Sequence, residues 1–88
     1  MIAGWGRAFV LEAGSRAVAG DPQDSVSVFP FTGPAIGVTL EGFAYPLADA
    51  RLEVGDTLGF HNELIGEEGR VRVREGALLV IHEAHELF

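Results

Sequence analysis

Three histidines and their acidic neighbours are the residues of this chain that could bind a metal. His82 and His85 lie near the C-terminal end with Glu83 and Glu86 beside them, and His61 lies further back. A zinc site needs three or four such ligands at about 2.0–2.2 Å from the metal. A three-residue spacing brings side chains together on a helix but separates them on a strand. Because an apolar run typical of a strand comes directly before His82, the sequence favours a polar turn and predicts no metal site.

The side chains that could carry catalysis lack the local patterns that catalysis needs. Ser15, Ser25 and Ser27 lie in no GxSxG turn, and the chain contains no glycine-rich phosphate loop. The adjacent acids Glu67 and Glu68 fall in a polar stretch, where solvation is the ordinary role of a carboxylate. The sequence therefore predicts that the chain is not an enzyme and needs no cofactor.

Length and composition limit the classes of protein to which the chain could belong. The chain has 88 residues and a net charge of −7, with thirteen acids, six arginines and no lysine or cysteine. One domain spanning 1–88 is expected, and the acidic charge argues against nucleic acid and against an anionic membrane surface. There is no apolar stretch of about 18 residues and no signal-peptide pattern, so a cytoplasmic location is predicted.

The elements that must position these side chains are predicted to be short strands. Twelve glycines and four prolines are spread along the whole chain and leave only brief apolar runs. Residues 70–74, RVRVR, alternate strictly, so one face of that strand is apolar and the other cationic. The arginines would pair with acids on a neighbouring strand or form salt bridges between subunits. Five or six strands and no convincing helix predict an all-β fold, for which a small barrel is the natural architecture.

A long polar stretch separates the first two apolar runs. It extends from Glu12 to about Ser27 and contains glycine, proline and aspartate, and the apolar residues Val26, Val28 and Phe29 lie at its C-terminal end. An apolar cluster at the end of such a loop is either packed into the core or exposed for a partner. From these residues alone the core is favoured.

Two segments in the second half of the chain are LEVGDTLGF at residues 52–60 and LVIHEAHEL at the end. They are similar to V-x-x-G-D-x-V-x-F and L-I-L-S-E-x-D-I-L, so the chain resembles the GroES-type co-chaperonins, the 10 kDa chaperonin family, in a divergent and possibly phage-encoded form. Near the start, GWGRAFVL resembles P-L-G-D-R-V-L-V. The polar stretch ending in Val28-Phe29-Pro30 is similar to the family's mobile loop.

This resemblance implies a small irregular GroES-like β-barrel that assembles into a ring, a homoheptamer. It implies a mobile loop at about 12–29 and a shortened roof turn at about 42–49. The first strand of one subunit would pair with the last strand of its neighbour, because ring closure removes exposed strand edges. The implied subunit interface consists of Ala8, Phe9, Val10, Leu11, Leu78, Leu79, Val80 and Ile81.

The resemblance also implies a function and a partner. Val26, Val28 and Phe29 would bind a large GroEL-type chaperonin ring, so that the co-chaperonin caps it and assists ATP-dependent folding of an unfolded client protein. Each loop contact would be weak, because ordering the loop costs entropy, and several tethered copies would bind together.

Two alternatives stay open at the level of sequence. A phage capsid decoration, or cement, protein would also be small, acidic, glycine-rich and all-β. A small metal-binding β-module would use His61, His82 and His85.

Overall fold

All regular structure in the part of the chain that the structure describes is antiparallel β-sheet. The computed structural model describes residues 6–84, and within them the strands are β1 (Gly6–Ala19), β2 (Ser25–Glu41), β3 (Leu47–Leu52), β4 (Asn62–Glu63) and β5 (Glu68–Glu83). The strand order is β1-β5-β2-β3, and β4 pairs with β2. The predicted all-β class is therefore confirmed.

The strand β5 lies between β1 and β2, and its alternating side chains explain why this part of the chain forms a sheet. Val71 and Val73 are buried, while Arg70, Arg72 and Arg74 are exposed, as the alternation of the sequence predicts. A strand with one apolar face can bury that face only against other apolar side chains. The core cluster accordingly draws on most of the sheet: Val18, Val26, Val28, Ala35, Val38, Leu40, Phe43, Leu52, Leu64, Val71, Val73, Leu78 and Val80.

Bulges make three of the strands longer than the sequence indicates. The strands β1, β2 and β5 have 14, 17 and 16 residues, with register shifts at Glu12/Gly14 and at Phe31/Ile36. Gly76 has φ +89° inside β5, and a Cβ there would lie 2.6 Å from the carbonyl oxygen of Pro34. The glycine bends the strand without ending it, because a bulge absorbs the extra residue.

The sheet is open, so the predicted closed barrel and its ring are wrong. Among residues 6–84, β1 and β3 lie at opposite ends of the strand order and do not pair with each other. Closure into a barrel requires pairing of the two end strands. In the same residues, no helix is long and apolar enough to cross a membrane.

The polar stretch predicted as a loop at about 12–29 is mostly strand. Residues 12–19 belong to β1, residues 25–29 belong to β2, and only residues 20–24 connect them. The second half of β1 pairs with β5, from Gly14 opposite Val73 to Ala19 opposite Glu68. This half strand buries only Val18, and a strand at the edge of a sheet with one buried side chain has no hydrophobic period to detect.

The two segments predicted to meet between subunits meet within one chain. Ala8 lies opposite Ile81, and Leu11 lies opposite Leu78, in the antiparallel ladder of β1 and β5. The predicted pairing partners are therefore present, but each chain supplies both. Contact of these residues with a second copy stays a prediction.

Candidate functional site

The apolar residues predicted to bind a partner lie in the core or against it. Val26 and Val28 are 0% and 1% exposed. The ring of Phe29 is half-buried, with its centroid 4.5 Å from that of Phe60. The N–H of Val28 donates a hydrogen bond of 2.8 Å to the carbonyl of Gly59. A partner-binding role for these three residues stays a prediction, but in this structure they do not extend from a loop.

The two histidines that the structure describes are in separate surroundings. His82 is 3% exposed, and its Nε2 lies 2.9 Å from Oδ2 of the buried Asp24. That carboxylate also accepts the N–H of Asp21, so the pair joins the turn after β1 to the end of β5. His61 is exposed and donates its backbone N–H to the hydroxyl of Ser27, and His85 lies outside the described residues. Within residues 6–84, no three His, Cys, Asp or Glu side chains are grouped as a metal site requires.

The structure brings two other segments together at a surface that we call the Tyr45 corner, made of residues 42–46 and 62–65. Asn62 holds it together. Its buried Oδ1 accepts the backbone N–H of Tyr45 at 2.9 Å and that of Glu63 at 3.0 Å. Its Nδ2 donates to the carbonyl of Tyr45 at 2.7 Å. One buried side chain thus binds both backbone groups of an exposed residue.

Local backbone conformation allows the two segments to lie side by side. The N–H of Ala44 donates to the carbonyl of Glu63 at 2.8 Å, and the N–H of Ile65 donates to that of Gly42 at 3.1 Å. Gly42 has φ +83°, and a Cβ there would lie 2.8 Å from the carbonyl oxygen of Glu68. Only glycine takes up such a conformation in so little space without strain.

On the inner side of the corner, Phe43 and Leu64 face each other in an isolated bridge and are each 2% exposed. A Cβ at Gly69 would lie 2.7 Å from the ring of Phe43. The exposed residues above them therefore rest on a packed base.

The outer surface of the corner combines an aromatic ring, an aliphatic side chain and a carboxylate. Tyr45 and Ile65 are each 66% exposed, and Glu63, two residues before Ile65, is also exposed. An aromatic face attracts a cation through its quadrupole, and a carboxylate adds a full negative charge. The arrangement is suited to a flat, positively charged organic ligand.

The sequence predicts only a shortened roof turn at about 42–49 in this part of the chain and indicates no role for Tyr45 or Asn62. The corner depends on the hydrogen bond between Asn62 and Tyr45, which joins residues 17 positions apart. Beyond the single asparagine of the chain, in the sequence HNEL, no local sequence pattern indicates such a contact.

Comparison with known proteins identifies a family for this fold. Residues 17–78 match the family model described as thiamin pyrophosphokinase, vitamin B1 binding domain. The chain is 38% identical over 56 residues to the thiamine pyrophosphokinase of Bacillus subtilis strain 168, covering 64% of this chain and 26% of that protein.

Solved structures of similar proteins agree with that match. The thiamine pyrophosphokinase of Bacillus subtilis superposes with a TM-score of 0.83 at 28% identity. That of Geobacillus thermodenitrificans superposes with a TM-score of 0.81 at 32% identity. Each match covers 92% of this chain and 38% of the solved chain, so this chain spans less than half the length of these relatives.

These findings overturn the resemblance to the GroES-type co-chaperonins. The co-chaperonin function, with its chaperonin and client partners, is wrong, and so is the capsid decoration alternative, since the family model and the relatives are thiamine pyrophosphokinases. The prediction that the chain is not an enzyme is overturned as well, because these relatives are enzymes and this chain corresponds to 38% of their solved length. The Gly-Asp motif at residues 55–56 does not identify a family, because in this structure it forms only a turn. Glu53 and Asp56 close that turn with hydrogen bonds of 2.9 and 2.8 Å, and residues 58–61 form another turn.

Proposed function

The chain belongs to the thiamin pyrophosphokinase vitamin B1 binding domain family, whose model matches residues 17–78, and from this we propose that it binds thiamin for conversion to thiamin diphosphate. The relatives are named for transfer of a pyrophosphate group to thiamin. Because this chain spans 38% of the solved relatives, the transfer step is proposed for an enzyme that contains this fold, and thiamin binding for the fold itself. A cytoplasmic location stays a prediction.

We place the thiamin at the Tyr45 corner. Thiamin consists of an aminopyrimidine ring and a positively charged thiazolium ring. The exposed ring of Tyr45 offers a face to the thiazolium by a cation–π contact. Glu63 lies on the facing segment of the corner, where its backbone carbonyl accepts the N–H of Ala44, and its exposed side chain supplies a carboxylate. The net charge of −7 adds a long-range attraction for the cation.

The observation that carries this proposal is the fixed position of an exposed aromatic residue. Tyr45 is 66% exposed, yet Asn62, which is 1% exposed, binds both its backbone N–H and its carbonyl. Burying an amide side chain to hold a surface loop contributes little to a core. A binding residue held in place before its ligand arrives, however, loses less entropy on binding.

The proposal is tested by titrating thiamin into the 88-residue chain and measuring heat by calorimetry. We expect saturable binding that Tyr45→Ala weakens by about tenfold, the effect of losing a contact worth roughly 1.4 kcal/mol. Tyr45→Phe retains an aromatic face and should bind nearly as well as the parent chain. The uncharged pyrimidine half of thiamin should bind more weakly than thiamin.

Leu58→Ala is the matched control, because Leu58 is a large apolar residue that is 58% exposed outside the corner. It should leave thiamin affinity unchanged. A folded chain that gives no saturable heat with thiamin would contradict the proposed function. Equal weakening by Tyr45→Ala and Leu58→Ala would contradict the placement at the corner.

A further inference from the structure

A second polar surface lies on the solvent face of the sheet, across β2, β3 and β5. It is a cleft of about 190 Å³ lined by Gly37, Thr39, Asp49, Arg72 and Arg74. Pockets for drug-sized ligands are roughly 300–1,000 Å³. The cleft is therefore of a size suited to a small ion or a single chemical group.

Arg72 is the charged residue of the cleft without a side-chain partner. Across the sheet it lies opposite Ser15 on β1 and Thr39 on β2, so hydroxyl residues flank it on both sides. The hydroxyl of Ser15 accepts a bond from Arg70 at 3.3 Å, and Thr39 accepts one from the N–H of Asp49. Within residues 6–84, the guanidinium of Arg72 has no hydrogen bond or ion pair to another side chain.

Arg74 is held at the cleft by a specific backbone feature of the facing strand. Its Nη1 lies 2.7 Å from Oδ1 of Asp49. To reach it, Arg74 lies close against Gly37, where a Cβ would come within 2.6 Å of the Cβ of Arg74 and 3.1 Å of that carboxylate oxygen. Gly37 also has φ +71°, so glycine meets both the steric and the conformational requirement.

We propose that this cleft is a binding site for a phosphate-class oxyanion, with Arg72 as its principal ligand. The free guanidinium of Arg72 donates to two oxygens. The hydroxyl proton of Thr39 and the remaining N–H groups of Arg74 donate to others. Donors from separate strands suit a tetrahedral anion better than a planar carboxylate. The Asp49 carboxylate opposes the anion, and its bond to Arg74 leaves the three charged side chains with a net charge of +1.

This proposal goes beyond thiamin binding and does not depend on it. It concerns different residues, so each proposal can fail while the other holds. The shared chemistry is a phosphoryl group, whether it comes from inorganic phosphate or from a larger phosphorylated molecule.

The test is a titration of the isotope-labelled 88-residue chain with inorganic phosphate, followed by amide chemical shifts, with chloride at matched ionic strength as the reference. We expect saturable shifts at Gly37, Thr39 and Arg72 with phosphate only. Arg72→Gln should weaken phosphate binding by about tenfold or more, since a hydrogen bond to a charged group contributes roughly 1.5–3 kcal/mol.

Two further variants distinguish phosphate binding at the cleft from a non-specific effect of the charge of the chain. Arg16→Gln removes the same charge from the other face of the sheet, where Arg16 lies opposite Val71 and over the ring of Phe9, and should leave affinity unchanged. Asp49→Asn removes the opposing carboxylate and releases Arg74, so it should tighten phosphate binding.

Other anions identify the source and the class of ligand. Tighter binding of a phosphate monoester than of inorganic phosphate would point to a phosphorylated organic molecule, and equal or weaker binding would point to the free ion. Acetate that binds as tightly as phosphate would overturn the phosphate class. Shifts of equal size with chloride, or unchanged affinity in Arg72→Gln with a well-dispersed spectrum, would overturn the site.

Discussion

At the scale of residues, a few buried polar side chains organise the turns of this fold. Asn62 binds the backbone of Tyr45, and Asp24 binds both His82 and the backbone of Asp21. Each of these buried groups would cost free energy if it lost its partner. In the part of the chain that the structure describes, no buried side-chain nitrogen or oxygen lacks a hydrogen bond. The buried polar residues therefore fix loop positions that apolar packing alone leaves undetermined.

Asn62→Ala should destabilise the chain by about 1–3 kcal/mol, because it leaves backbone groups of Tyr45 without their partner and creates a small cavity. The free energy of unfolding in urea measures this loss. Glu63→Gln is the neighbouring control, since Glu63 is exposed and should change stability by less than about 0.5 kcal/mol. Similar stabilities of the two variants would show that the Asn62 bonds do not hold the corner.

At the scale of elements, the sheet depends on glycines that give neighbouring residues room. Gly69, near the start of β5, lies against the ring of Phe43 and is buried. Gly76 and Gly37 sit at irregular points of β5 and β2 with positive φ. These positions let long strands bend around one core, since a bulge changes strand direction without breaking the ladder.

Gly69→Ala should destabilise the fold by about 1–3 kcal/mol through overpacking, because its Cβ would lie 2.7 Å from the Phe43 ring and 2.9 Å from Leu64. Gly66→Ala is the matched control. A Cβ at Gly66 meets nothing within 4 Å, so stability should stay constant or rise slightly through lower entropy of the unfolded chain. Thermal unfolding of the two variants compares them, and equal midpoints would contradict the packing described beneath the Tyr45 corner.

At the scale of the whole molecule, the edge strand β1 is protected by charge. Its outer edge pairs with no strand within residues 6–84, and such an edge favours aggregation if it is apolar. Arg7, Glu12 and Arg16 on this strand are exposed. Charged side chains along an edge oppose pairing with another chain, so the strand can remain at the end of an open sheet.

Native mass measurement of the 88-residue chain in dilute solution should find no seven-membered assembly. The two strands that ring closure would join between copies, β1 and β5, pair within one chain from Gly6 opposite Glu83 to Ala19 opposite Glu68. Their ladder is therefore already satisfied. A dominant species with seven times the chain mass would mean that this pairing is exchanged between copies.

The sequence by itself determined the all-β class, the orientation of β5 and the exposure of its arginines, because these depend on local alternation and on chain-breaking residues. It did not determine the family: its Gly-Asp and terminal motifs are short turns and strands that unrelated β-proteins share. Tertiary structure decided that Val26 and Val28 are buried, that β1 continues through a polar stretch, and that Asn62 meets Tyr45 and Asp24 meets His82. The last two contacts join residues 17 and 58 positions apart, and only the folded sheet brings such distant residues together.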